Sequence, residues 1–383
     1  MWTDNEITDL LKRVNPLPDP EVLPDHSERL WASLESKRTD RSAPATKPIY
    51  RRRAALVAAV VAVLVASSAV GAAFVFDADV PPLDREFDAA EQPILTVYGN
   101  GQGIADGCAW RLAFASTGRP LVGGPCGVFE LTDDRWEMIA DEAAVGVAFM
   151  DVAVDGEGVI WVASPDQPLR RLMGDGFTEM EIGSPWIAAA LDGTIWAVDF
   201  GPASTGGLVA YTEGVWRTIE GTEMVTGVAV GSDGVVWILA GGELTRVSQD
   251  TVEIVDFEGP RGSLDSVTTT PDGAVWFVAG SNDVVDRLGV SDTLNYIVRY
   301  DGGSSTRIEV PFAEISDLAV HPDGTVWASS SLHGIFSYDG ESWTRYGVDD
   351  GMPANEVYRL DVAPDGSVYA ATAQGVVRIR PKS

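Results

Sequence analysis

"LDGTIWAV" (191–198), "SDGVVWIL" (232–239), "PDGAVWFV" (271–278) and "HPDGTVWA" (321–328) are one phrase written four times. Looser copies stand at "GEGVIWVA" (156–163), "PDGSVYAA" (364–371) and "STGRPLVG" (116–123), which makes seven. Counted at the glycines (118, 158, 193, 234, 273, 324 and 366), they recur every ~40 residues, a period typical of stacked repeats. Within each period Asp-Gly supplies a tight turn, because Gly tolerates positive φ and Asp bonds its own backbone. The residues after it ("TIWAV") read as a strand whose Trp is a large buried wedge. A β-rich run precedes the turn ("VTGVAV", "YRLDVA"), and a third strand follows ("GLVAY", "IVRY", "GIFSY"). A second polar turn then leads to a fourth strand ("WRTIE", "TRIEV", "WTRYG"). Four short strands per period, seven times over, predict an all-β, seven-bladed β-propeller. Trp161, Trp196, Trp237, Trp276, Trp327 and Tyr369 are then core wedges, not a sugar-stacking stripe.

The last copy runs out after its third strand, at "QGVVRIRPKS" (374–383). The missing fourth strand stands at the other end: "PILTVYG" (93–99) aligns with the fourth strand "ESWTRYG" (341–347). The match continues beyond it. "YGNGQGIADGCAWRLAFASTG" (98–118) and "YGVDDGMPANEVYRLDVAPDG" (346–366) share the Tyr-Gly opening, an inner Gly, the Arg-Leu pair, an Ala and the closing Gly. The N-terminal strand is therefore expected to complete the last blade and close a propeller of residues 93–383, removing the edges of an open array.

The stretch 338–379 resembles the two-component regulator propeller repeat. That pattern has an outer-strand W-x-x-Y, a D-G-[LM]-P-x-N loop, a D-G-x-[VL]-W turn and a T-x-x-G-[VIL] strand. Here they stand as Trp343/Tyr346, Asp350 to Asn355, Asp365 to Tyr369 and Thr372 to Val376. The other repeats keep only the D-G-x-[VI]-W core and are more similar to streptogramin-lyase propeller repeats. The lyase resemblance implies Phe-Thr-Glu after the phrase Trp, and a catalytic Glu with histidines near the channel. No repeat supplies that Glu, and His321 and His333 are the only histidines beyond residue 53. His321 reads as a turn residue beside Asp323, and His333 as a solvated loop residue. The expected function is non-catalytic recognition of a ligand or protein, as a sensor or scaffold. The alternative is an extracytoplasmic lyase or hydrolase of the streptogramin-lyase type.

Outside the propeller, "RRRAALVAAVVAVLVASSAVGAAFVFDAD" places the uncharged stretch 54–76 between Arg51–Arg53 and Asp77. At helical rise it spans roughly 34 Å, enough for a bilayer core. Basic residues before it and acids after it put the N-terminus in the cytoplasm and the propeller outside. A cleaved signal peptide is the competing reading, but 53 residues are too many for an ordinary leader. Residues 77–92 read as an acidic, Pro-containing linker. The chain from Asp77 onward carries 48 acidic against 17 basic side chains, so it repels nucleic acid. In the tail (1–53), 3–14 and 25–38 read as two short amphipathic helices opened by capping-box spacings. The second presents Leu30, Trp31 and Leu34 to a cytoplasmic partner or to the membrane. This leader resembles those of actinobacterial single-pass proteins, and the scarcity of Lys (4 residues) against Arg points to a GC-rich genome.

Three further groups of residues invite a function. Cys108 and Cys126 are the only cysteines. Outside the membrane they favour a disulfide, the alternative being two buried thiols. The widest gap between repeats holds Asp283, Asp286 and Asp292, which offer oxygen ligands to Ca²⁺ or belong to a solvated loop. With Asp349 and Asp350 they form the candidate recognition loops. No other cofactor or metal is called for.

Overall fold

The computed structural model describes residues 88–89 and 94–380, apart from 116, 146–150, 174–175, 185, 200–205, 249–250, 260–262, 281–294 and 313. The chain divides after Asp79, and every described residue belongs to the second unit, Val80–Ser383. Its strands form seven separate sheets. In chain order the blades span residues 111–141, 151–184, 187–218, 225–255, 264–309, 317–346 and 357–380. The first strands of neighbouring blades touch one another in sequence, and the seventh touches the first. The sheets therefore stand as a closed ring around a channel lined by their innermost strands.

Closure comes from the N-terminal side. Ile94–Tyr98 pairs antiparallel with Gly375–Arg380, from Ile94 opposite Arg380 to Tyr98 opposite Val376. Gly375, at φ 115°, makes the corner into that last strand, where a Cβ would overlap the Tyr98 carbonyl. Only glycine fits, because the outer strand passes against its α-carbon.

The ring has no single core. Seven apolar clusters each lie between two adjacent blades, and the alternation of side chains along a strand explains them. In Val236–Ala240, Trp237 and Leu239 pack toward blade five, while Val236 and Ile238 pack toward blade three. Both faces are buried, so the strand is apolar at successive positions. Trp161, Trp196, Trp237, Trp276, Trp327 and Tyr369 are all buried, and Trp161 also donates its indole N–H to Asp155 Oδ2 at 2.9 Å. Truncating one such ring to Ala would cost about 3–5 kcal/mol.

Two expectations change. Among the described residues blade two has three strands, not four: Ile160–Met173 runs on as one element, pairing first with Asp151–Val154 and then with Gly176–Ser184. Its corner segment, 164–168, reads Ser-Pro-Asp-Gln-Pro and lacks the glycine that turns the chain in blades one, six and seven. The linker also does more than tether. Asp88–Ala89 adds a short parallel strand to the outer edge of blade six, opposite Thr344 and Arg345. An outer strand offers unpaired backbone groups, and the linker takes them up.

No described helix is long and apolar enough to cross a membrane; residues 54–76, like the rest of the tail, lie outside the described residues.

Candidate binding site at the channel mouth

Antiparallel strands alternate in direction. The corners between second and third strands therefore share one end of the ring with the connections between blades, and each innermost strand begins at that end. Register identifies the residues at this mouth. The residue two places after the phrase Trp faces Asp151 in blade two, across from Ala163; Asp265 in blade five, across from Val278; and Asp317 in blade six, across from Ser329. The same position holds Arg111 opposite Gly123 in blade one and Arg359 opposite Ala371 in blade seven. Gly227 opposite Leu239 fills it in blade four, and Trp186, whose carbonyl accepts the Val198 N–H at 3.2 Å, in blade three. Five of the seven positions of this layer carry a charge.

The charges meet across the ring. Arg111 interacts with Arg359, Asp151 and Asp317, which come from three other blades, so all four share one space. Burial, aided by Arg359, holds the Arg111 guanidinium down to about 10. Asp317 raises the Arg359 guanidinium above its ordinary value, against the opposing effect of burial. Although ringed by protein, the Arg359 side chain keeps 36% of its surface exposed, so it is accessible from the channel. Asp151 and Asp317 do equivalent structural work. Asp151 accepts the N–H groups of Val152 (3.0 Å) and of Ile187 in blade three (3.2 Å). Asp317 accepts the Leu360 N–H of blade seven (3.0 Å) and the Ser266 hydroxyl of blade five (2.9 Å). Ser266 itself sits at φ 45° in a bulge of its strand, a costly conformation for a residue with a Cβ.

Deeper in the channel lies the layer directly opposite the phrase Trp. It holds Ala113, Ala153, Ala188, Ala229, Thr268 and Ala319, and in blade seven Asp361. Burial pushes the Asp361 carboxyl up to about 6; its bond from Val362 N–H opposes this, Asp317 adds to it, and Arg359 opposes it.

The rim is built by the repeated phrase. Gly99 and Gly347 lead into matching 3-10 turns, Asn100–Gln102 and Val348–Asp350, each ended by a left-handed glycine, Gly103 and Gly351. Ile104 and Met352 follow and are buried. Trp110 and Tyr358, the next residues before Arg111 and Arg359, meet edge to face at 6.3 Å. Beside them Glu356 accepts the Tyr358 hydroxyl at 3.1 Å, and Ser331 contacts both oxygens of Glu314 at 2.6 Å. Burial raises the Glu356 carboxyl, with the Glu314 charge adding to it. Cys108 and Cys126 form a disulfide, Cα–Cα 5.2 Å, that ties the rim loop before blade one to that blade's own corner.

The other sequence candidates fall elsewhere. Asp283, Asp286 and Asp292 lie outside the described residues, as do Leu30, Trp31 and Leu34. Asp350 is an internal brace, its Oδ2 accepting the Gly347 N–H at 2.9 Å, while Asp349 is exposed. His321 belongs to the turn at the far end of its strand, with Nε2 3.1 Å from Gly366 O and Nδ1 2.8 Å from Asp323 Oδ1. His333 is buried, not solvated: its main chain accepts the Arg345 guanidinium at 2.8 Å and donates to Ser330 Oγ at 3.1 Å. The charged layer escaped sequence reading, although the Arg-Leu pair of the repeated phrase holds both of its arginines.

No protein-family model matches this chain, and no curated protein matches it in sequence. Solved structures do. A streptogramin B lyase aligns at TM-score 0.59 and 18% identity, over 75% of this chain and 97% of the lyase. Virginiamycin B lyase from Staphylococcus aureus aligns at 0.61 and 14%, over 75% and 99%. The extracellular domain of BT4673 from B. thetaiotaomicron, described as a one component system, aligns at 0.59 and 15%, over 76% of this chain and 40% of that one. What these proteins share with this chain is the seven-bladed propeller fold.

Proposed function

We propose that this chain is a membrane-anchored propeller held outside the cytoplasm, which binds a ligand or protein at the channel mouth without transforming it. The observation that carries this is the charged layer. Asp151 and Asp317 are engaged by main-chain N–H groups of neighbouring blades, so they hold the ring and are poorly placed to shuttle protons. Neither propeller histidine occupies a position in that layer. The apolar stretch 54–76, basic on one side and acidic on the other, supplies the anchor and its orientation. Extracellular domains of bacterial sensor proteins share the fold, which supports display on the outer side and a signal carried inward by the tail. The alternative, a lyase or hydrolase, rests on the likeness to the streptogramin lyases.

Two measurements test the reading. Protease added to spheroplasts is expected to digest the propeller and spare residues 1–50; cleavage of the tail from outside contradicts the topology. Chromatography of a streptogramin B antibiotic after incubation with the full chain is expected to show the compound unchanged. Conversion to a product assigns the protein to the lyase alternative.

A further inference from the structure

The channel holds two opposite charges that do not meet. Arg359 directs Nη1 at Asp317 Oδ1, 3.3 Å away. Asp361 lies two residues further along the same strand and so on the same side of it. Its Oδ1 accepts the Val362 N–H at 2.7 Å, and among the described residues its other oxygen has no hydrogen bond and the carboxylate no ion pair. Yet Asp361 and Arg359 each feel the other's charge, so they share a space without touching. Residues two apart on a strand stand ~6.6 Å apart, a gap one small molecule bridges with a hydrogen bond at each end.

The surroundings narrow the kind of molecule. A pure anion approaching Arg359 and Arg111 meets the carboxylates of Asp151, Asp317, Asp361 and, on blade five, Asp265. A pure cation drawn to Asp361 meets the two guanidiniums. A molecule of both signs finds a partner for each. On the opposite arc Trp186 packs onto the cluster between blades three and four and Gly227 stands beside it, so that side of the layer brings no charge of its own.

We propose that the channel binds a small amphoteric molecule of the α-amino-acid type, its carboxylate on Arg359 with Arg111 alongside and its ammonium on Asp361. The proposal rests on the binding reading of the same site and names its ligand class.

The test titrates the full chain with L-alanine, propionate and ethylamine, reading tryptophan fluorescence and the thermal transition. L-alanine is expected to saturate, with each singly charged probe at least about tenfold weaker. Asp361→Asn keeps the size of the side chain and an oxygen for the Val362 N–H, so the fold is retained. This variant is expected to bind L-alanine about tenfold more weakly and propionate no worse than the parent does. Arg111→Lys, which leaves the Arg359–Asp317 pair intact, is expected to weaken L-alanine and propionate together. Propionate binding as tightly as L-alanine, ethylamine doing so, no saturation by any probe, or an unchanged Asp361→Asn variant each overturns the proposal. Such a failure leaves the broader binding reading standing, since that reading falls only on conversion of a substrate or on contacts elsewhere on the ring.

Discussion

Asp317 Oδ1 lies 3.3 Å from Arg359 Nη1 while Oδ2 accepts the main-chain N–H of Leu360 at 3.0 Å, so one carboxylate grips blade seven by side chain and backbone together. With the Ser266 hydroxyl at 2.9 Å it touches three consecutive blades. Asp317→Ala unpairs the partly exposed Arg359 and leaves a main-chain donor unmet at once, and is expected to cost about 2–4 kcal/mol in urea denaturation. Asp151→Ala unmakes two main-chain bonds and removes a charge that Arg111 and Arg359 feel, and is expected to cost about 1–3 kcal/mol. Equal costs for the two would contradict the role given to Arg359.

Ring closure depends on five residues far from their partner in sequence. Deleting Ile94–Tyr98 leaves Gly375–Arg380 as an open edge and unroofs the cluster between blades seven and one. The expected outcome is loss of the cooperative thermal transition or aggregation, because backbone pairing and apolar burial disappear together. A transition unchanged in midpoint and steepness would show that the ring closes without this strand.

The disulfide spans 18 residues. Loop-closure entropy of that size predicts about 3 kcal/mol of stabilisation. Paired Cys108→Ser and Cys126→Ser substitutions are expected to lower stability by about that amount, with peptide mapping of the unreduced parent showing Cys108 joined to Cys126. Free thiols in protein taken from the cell envelope would contradict the bridge and the stabilisation drawn from it.

Asp361 gives stability a definite pH dependence. Its carboxyl is raised from the ordinary 3.8 to about 6, mainly by burial, so in that interval the folded chain holds a proton that the unfolded chain has released. The sign follows: through Asp361, stability falls as pH rises from about 4 to 6. Asp361→Asn removes this dependence. The variant is expected to exceed the parent in stability at neutral pH by about 2–3 kcal/mol, a margin that closes toward pH 4. A margin independent of pH would place the carboxyl outside the buried layer.

The ring was legible in the sequence because each blade needs the same turn and the same wedge, and Asp-Gly-x-Val-Trp states both. Closure was legible because Tyr98-Gly99 repeats Tyr346-Gly347. Blade two misled because its strand phrase is intact, and only the glycine-free corner at Ser164–Pro168 betrays the merger of its two middle strands. His333 misled because a corner residue reads as exposed, whereas the connection before blade seven packs there, Gly334 N–H bonding to Asn355 O at 2.9 Å. The charged layer was hidden for a deeper reason. A lone Asp or Arg at the start of a strand looks like a solvent-facing residue. Arg111, Asp151, Asp317 and Arg359 acquire meaning only when the closed ring brings four blades to one axis.

Recognition at the channel mouth, and not on the outer strands, can be read by cross-linking from two positions. A photo-reactive phenylalanine analogue in place of Tyr358 reports on the mouth; the same analogue in place of Ile254, 61% exposed on the outer strand of blade four, reports on the outside. Intact cells are irradiated and the adducts from the two positions compared by mass spectrometry. Adducts from position 358 and none from 254 are the predicted result; adducts from 254 with none from 358 would contradict it.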